Sequence, residues 1–171
     1  PTTAFAGDSD SDAADALRSR ITAHARYCLE QCSPLCARQG RPVPHPDIRF
    51  DLRGQAAGQA VWQRNRSPVL RFNLPLALRH AHDFIATTVP HEVAHLVTAA
   101  CHGRVRPHGR EWQAVMQSLG AKPRATGRYD LTGVPVRRPA SSAPTRQAAV
   151  AGLVRWSPPR SSCLPAGARQ D

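Results

Sequence analysis

Lysine is nearly missing from this chain: Lys122 stands alone among 23 cationic residues in a sequence of 171. The other cations are arginines, which fork onto phosphate or carboxylate where an ammonium makes only a point contact. Long apolar runs are missing too, and no stretch approaches the roughly 18 uncharged residues a membrane helix needs. Pro1 to Ser11 is polar and acidic, unlike a basic, apolar export signal. Membrane partners and secretion are therefore not expected. Five cysteines make an odd count, and Cys28, Cys32 and Cys36 crowd together, which is no secreted disulfide framework. A reducing cytoplasm is the expected setting. Aromatic residues make up only 5%, with Trp112 and Tyr129 alone among the basic residues of 104–129, which gives base stacking little support. Acids are outnumbered, which leaves a net charge of +11 and a pI near 11.1 and favours polyanionic partners.

What is present suffices for one domain with tails. Residues 1–11 lack periodicity and read as a disordered leader. From Asp12 a stripe of Leu17, Ile21, His24, Cys28, Cys32 and Leu35 recurs at spacings of three and four, one apolar helix face ending near Pro34. Ile48, Phe50 and Leu52 alternate with Arg49, Asp51 and Arg53, the period of a half-buried strand. Ala60 and Trp62, then Leu70, Phe72 and Leu74, alternate on either side of the turn residues Asn65, Arg66, Ser67 and Pro68. That pattern predicts an antiparallel hairpin. From Leu76 the period becomes helical, and a stripe from Phe84 to Ala100 runs past Pro90, as one kinked helix or as two with Pro90 in a first turn. Gly103 and Pro107 end it. Trp112, Val115, Met116 and Leu119 predict a last helix with Gly120 behind it. The domain spans residues 12–136, and residues 137–171, rich in Pro, Ser, Ala and Arg, read as a disordered tail.

Within the second helical stripe lies His91-Glu92-Val93-Ala94-His95. With eight His and three Glu in the chain, chance places about 0.006 such patterns. On a helix, positions i and i+4 share a face, so two imidazoles can meet one zinc ion at roughly 2.0–2.1 Å. Glu92 lies beside them, placed to take a proton from an attacking water and pass it to the leaving amine. A third ligand is needed. Thr98 and Cys101 stand where a metzincin has Gly and His. His102 shares the azimuth, but an unbroken helix carries it about 10 Å beyond His95. Glu111 is an acidic candidate. His108 is preferred, because Gly103, Pro107 and Gly109 let the chain turn back.

The passage 88–131 resembles the SprT family, which includes the Spartan proteases of vertebrates. The residues that carry the likeness are Val-Pro-His-Glu-Val-Ala-His-Leu at 89–96, Gly-Arg-Val-Arg-Pro-His-Gly-Arg-Glu-Trp at 103–112, and Tyr129. Weaker similarity runs back through Arg53, Gly54 and Gly58 to about residue 15. The resemblance implies a zincin-like α+β metalloprotease domain, with a small antiparallel sheet packed on the active-site helix, and His108 as third zinc ligand. For Spartan-like members it implies cleavage of proteins crosslinked to DNA. Bacterial SprT proteins usually carry a cysteine-rich zinc ribbon, whereas this chain has only Cys163 after Cys101, so no ribbon is expected within it.

Around the motif, Arg104, Arg106, Arg110, Lys122, Arg124 and Arg128 oppose one acid, Glu111. This basic rim extends the reading to weak, sequence-independent contact with DNA. Cys28, Cys32 and Cys36 read as core residues on the first stripe. His24, His45, His80, His82 and His102 have no paired spacing. The function expected is zinc-dependent peptide hydrolysis, an edge strand of the hairpin aligning an extended substrate. The alternative is a nucleic-acid-associated adaptor with structural zinc.

Overall fold

The computed structural model describes residues 7–62, 66–124 and 155–156. Its first element is a long helix, α1 (Gly7–Gln31). This helix starts five residues before Asp12, the expected start of the domain, so the leader expected over 1–11 is helical from Gly7, and residues 1–6 lie outside the described set. The exposed acids Asp10 and Asp12 near its start suit the positive end of the helix dipole. Leu17, Ile21, Ala25, Cys28 and Cys32 form its buried face, and His24 is only half-buried. Pro34 does not simply stop the helix. It occupies the first turn of a short second helix, α2 (Ser33–Arg38), where its missing N–H costs nothing.

The sheet has the order β1-β3-β2-β4. β1 (Asp47–Arg49) runs parallel to β3 (Val69–Phe72), β2 (Gly58–Trp62) and β3 form the antiparallel hairpin, and β4 (Arg155–Trp156) pairs parallel with the end of β2. The antiparallel sheet expected from sequence is therefore mixed. Period-two alternation is the same in either direction, so the direction of β1 was not readable from it. The rest of the tail 137–171 lies outside the described residues. Gly58 and Ala60 of β2 share a buried face with Phe72 and Leu70 of β3. On the opposite face Arg71 donates to both carboxylate oxygens of Asp51, at 2.9 and 3.1 Å, and to Gln59.

Asn73 links the sheet to the helices that follow. It is buried, caps α3 (Leu74–Arg79) by accepting from the Leu76 N–H, and donates to the carbonyls of Gly54 and Ala56. The loop leading into Gly58 is thereby fixed. After α4 (Ala81–Asp83) come a π-helical turn, Phe84–Thr88, and α5 (Val89–His102). Pro90 sits in the first turn of α5. It cannot donate to a carbonyl one turn back and its ring crowds that carbonyl, and the wider π turn just before it relieves both problems. Gly103, with φ 67°, ends α5, and α6 (Arg110–Ser118) is followed by Gly120 at φ 65°.

α5 is the centre of the molecule, packed against α1, β2, α6 and the π turn. A helix covered on so many sides is buried nearly all round, as Val89, Val93, Leu96 and Val97 show. Cys28, Cys32, Cys36 and Cys101 are buried free thiols, with the sulfurs of Cys36 and Cys101 3.5 Å apart. Burial pushes Cys28 up to about 11 and Cys32 and Cys101 up to about 12, so these are protonated core residues. No helix among the described residues is long and apolar enough to cross a membrane.

Candidate metal centre

His91 and His95 lie one turn apart on α5, and both are buried. The chain returns to them through a tight turn. The Gly109 N–H donates to the Arg106 carbonyl at 2.9 Å, which closes a four-residue turn with Pro107 at its second position and His108 at its third. Proline suits the second position of a type II turn, and the third requires positive φ. His108 meets that requirement at φ 56°. Glycine or asparagine is the usual solution there; a histidine costs roughly 1–2 kcal/mol, strain of the kind that collects at functional sites. The Gln113 side chain donates to the His108 carbonyl at 3.0 Å and holds the turn to α6.

The three Nε2 atoms converge: His95 to His108 is 3.0 Å, His91 to His95 3.1 Å and His91 to His108 3.2 Å. Nitrogens at 2.0–2.1 Å from one ion in tetrahedral array are about 3.3 Å apart, so the group fits a single metal. His91 also donates to the Arg124 backbone carbonyl, which leaves its Nε2 lone pair facing the other two rings. Trp112 closes the underside. Its ring centroid lies 4.9, 5.5 and 4.7 Å from those of His91, His95 and His108, and its indole N–H donates to the His91 carbonyl at 3.4 Å. Burial holds His91 down to about 4 and His95 to about 3, and lowers His108 as well. All three rings are therefore neutral near pH 7, the form that binds metal.

Glu92 is 3% exposed and packs against the backbone of β2. Burial pushes its carboxyl up to about 8, against a smaller opposing effect of the Ala60 N–H. Its Oε2 is buried with no hydrogen-bond partner. Such an orphan is costly, and a water held by a metal at the three histidines is a partner of the right kind. A methyl group on Gly58 would come within 2.5 Å of Glu92 Cγ and 2.9 Å of Oε1; only glycine leaves the carboxylate this bed.

Of the other candidates, Glu111 lies in the first turn of α6 and His102 at the end of α5, and neither joins the cluster. Among the described residues no other group of three His, Cys, Asp or Glu converges in this way. Arg104 and Arg106 are exposed on the loop between α5 and α6, and Arg110 and Arg124 are also exposed. Arg128 lies outside the described residues. The roles of Gly58, Trp112 and the Arg124 carbonyl had no signal in the spacing of the motif: two are backbone effects, and Trp112 reads equally well as core.

The profile of the SprT-like family matches residues 25–138. A protein SprT from Shewanella oneidensis is 42% identical over 119 residues, 69% of this chain and 72% of that protein. A protein SprT from Vibrio parahaemolyticus is 44% identical over 95 residues, covering 55% of this chain and 56% of the relative. For a protein SprT from Pseudomonas putida the figures are 48% over 80 residues, 46% and 47%. The chain thus spans about half the length of the second and third of these. No solved structure matches it significantly.

Proposed function

The chain belongs to the SprT-like family, and from that premise we propose that it is a zinc-dependent metallopeptidase with a zincin-like fold. His91, His95 and His108 hold one Zn2+, and Glu92 is the catalytic base. The observation that carries this reading is the convergence of three imidazole Nε2 atoms within 3.2 Å of one another, with a carboxylate oxygen of Glu92 buried without a hydrogen-bond partner among the described residues. Three protein ligands leave a fourth position open, as catalytic zinc requires, whereas a structural site is closed by four. This weighs against an adaptor with structural zinc.

When bound, the ion supplies a Lewis acid that makes water a nucleophile near neutral pH. Glu92 takes the proton of the attacking water on its carboxylate and delivers it to the leaving nitrogen. A carboxyl held at about 8 in the absence of metal becomes a base once a cation neutralises its surroundings. The substrate is a protein or peptide, laid along the part of β2 before Val61, which among the described residues has no partner strand on the side of β4. Contact with DNA is a further proposal, supported by the net charge of +11 and the exposed Arg104, Arg106, Arg110 and Arg124.

The test is metal analysis together with hydrolysis of an unfolded protein substrate. Wild type carries one zinc and cleaves, while Glu92→Gln keeps the zinc and loses at least about 100-fold in rate. Undiminished cleavage by zinc-loaded Glu92→Gln removes Glu92 from the mechanism, and a zinc-loaded wild type inert toward unfolded proteins removes the peptidase reading.

A further inference from the structure

A cleft of about 240 Å³ opens directly beside two of the three clustered histidines. His95 and His108 form one end. Thr98 and Ala99, one turn further along α5, give a floor of small side chains, and the loop from Gly103 to Pro107 forms the opposite wall. The space is below the roughly 300 Å³ at which drug-sized and cofactor pockets begin, so it suits a single amino-acid side chain. Its position suits the same occupant, because a group seated there is adjacent to the atoms around which hydrolysis is proposed.

The lining is one-sided in charge. Arg104 and Arg106 belong to it and no Asp or Glu does. Both arginines are exposed at the rim, and neither guanidinium has an ion pair or hydrogen bond among the described residues. Val105, Pro107 and the buried Trp112 supply the apolar part of the lining. An apolar lining beside two guanidiniums that no described residue pairs with matches a side chain made of methylenes ending in an anion. A lysine or arginine in the same place faces like charge at close range.

Resting on the peptidase reading, we infer that this cleft is a specificity subsite for the substrate residue next to the scissile bond, and that Arg104 and Arg106 make it select an acidic side chain. Two arginines attributed from sequence to a nucleic-acid rim are then substrate-reading residues. The selectivity is electrostatic, so it weakens as salt rises.

The experiment uses the full zinc-loaded chain and a set of quenched peptides identical except for Glu, Ala or Lys at each position flanking the cleaved bond. At one flanking position Glu is expected to exceed Lys by at least about 10-fold in kcat/KM, one decade of discrimination. The double reversal Arg104→Glu/Arg106→Glu inverts that order. A binding arm on zinc-loaded Glu92→Gln, by fluorescence anisotropy of the labelled Glu and Lys peptides, reads the same preference without turnover. A binding preference with no cleavage by wild type therefore condemns the peptidase reading while keeping the subsite. Cleavage blind to charge, or a preference untouched by the reversal, overturns the subsite. So does a reversal that abolishes binding of a short labelled DNA yet leaves the peptide order intact, since the arginines then serve nucleic acid.

Discussion

Gly58 and Glu92 interlock: the absent side chain of one is the space occupied by the other, and a methyl group on Gly58 would lie 2.5 Å from Glu92 Cγ. The contact joins β2 to α5 at the point where the acid sits between its two histidines. Asn73 holds the loop that delivers Gly58, through hydrogen bonds to the carbonyls of Gly54 and Ala56. A buried amide on one side of the sheet thus fixes the floor beneath a carboxylate on α5.

Gly58→Ala is expected to destabilise the metal-free protein by about 1–3 kcal/mol, the usual cost of overpacking. The same substitution in a Glu92→Ala background no longer meets the three side-chain atoms nearest the new methyl and is expected to be neutral or stabilising, since alanine suits a strand better than glycine. Thermal melts of the four proteins give the coupling directly. An equal cost in both backgrounds would show that the methyl clashes with something other than Glu92.

His108 combines two demands, a left-handed backbone and a ring aimed at its partners. Asparagine meets the first demand without the imidazole. His108→Asn is therefore expected to leave the melting temperature in chelator nearly unchanged, while zinc affinity falls at least about 100-fold. His102→Asn, about two turns past His95 on α5 and exposed, is the control and is expected to stay within about threefold. Competition with a chromophoric chelator measures both. If the two variants bind alike, His108 is not a ligand.

Much of this arrangement was legible in the sequence because it is local. The i, i+4 pair on α5, the stripe of α1, the β2–β3 hairpin and the glycines behind α5 and α6 follow from periods and turn residues that act over a few positions. The parallel direction of β1 against β3 was not legible, since side-chain alternation does not encode strand direction, and β4 lies in a stretch that composition alone read as a disordered tail. Nor was the start of α1 at Gly7, where the chain is helical ahead of its apolar stripe. Gly58 read as punctuation, and its steric role appears only when α5 is laid across β2. Trp112 matched a core position, and it is one, but the neighbours it packs on are the three histidines.

Trp112→Phe tests that double role. The change keeps an aromatic ring but removes the indole N–H that donates to the His91 carbonyl. Zinc affinity is expected to fall about tenfold, the effect of losing a group that orients a ligand. Val115→Ala, a buried residue on the same helix, is expected to cost about 1–3 kcal/mol of stability with affinity unchanged. If both variants lose affinity in proportion to stability, Trp112 acts only as core.

The pH dependence of the metal-free protein separates Glu92 from the histidines. His91 and His95 drop from 6.5 to about 4 and about 3 on folding. Between those values the unfolded chain binds protons that the folded one does not, so their effect is a loss of stability as pH falls below about 6.5. Glu92 rises from 4.5 to about 8. From pH 4.5 to 8 the folded state keeps a proton that the unfolded state has released, so its effect is a loss of stability as pH rises, by at most about 1.4 kcal/mol per pH unit. The two histidine slopes outweigh the single glutamate below 6.5 and vanish above it. Wild type in chelator is therefore expected to be most stable near pH 6.5 and to weaken toward pH 8. Glu92→Gln cannot titrate, and its stability is expected to stay level over that upper range, its advantage over wild type shrinking to nothing near pH 4.5. Urea unfolding at pH 5, 6.5 and 8 measures this, and parallel profiles for the two proteins would mean that Glu92 is not buried as a protonated acid.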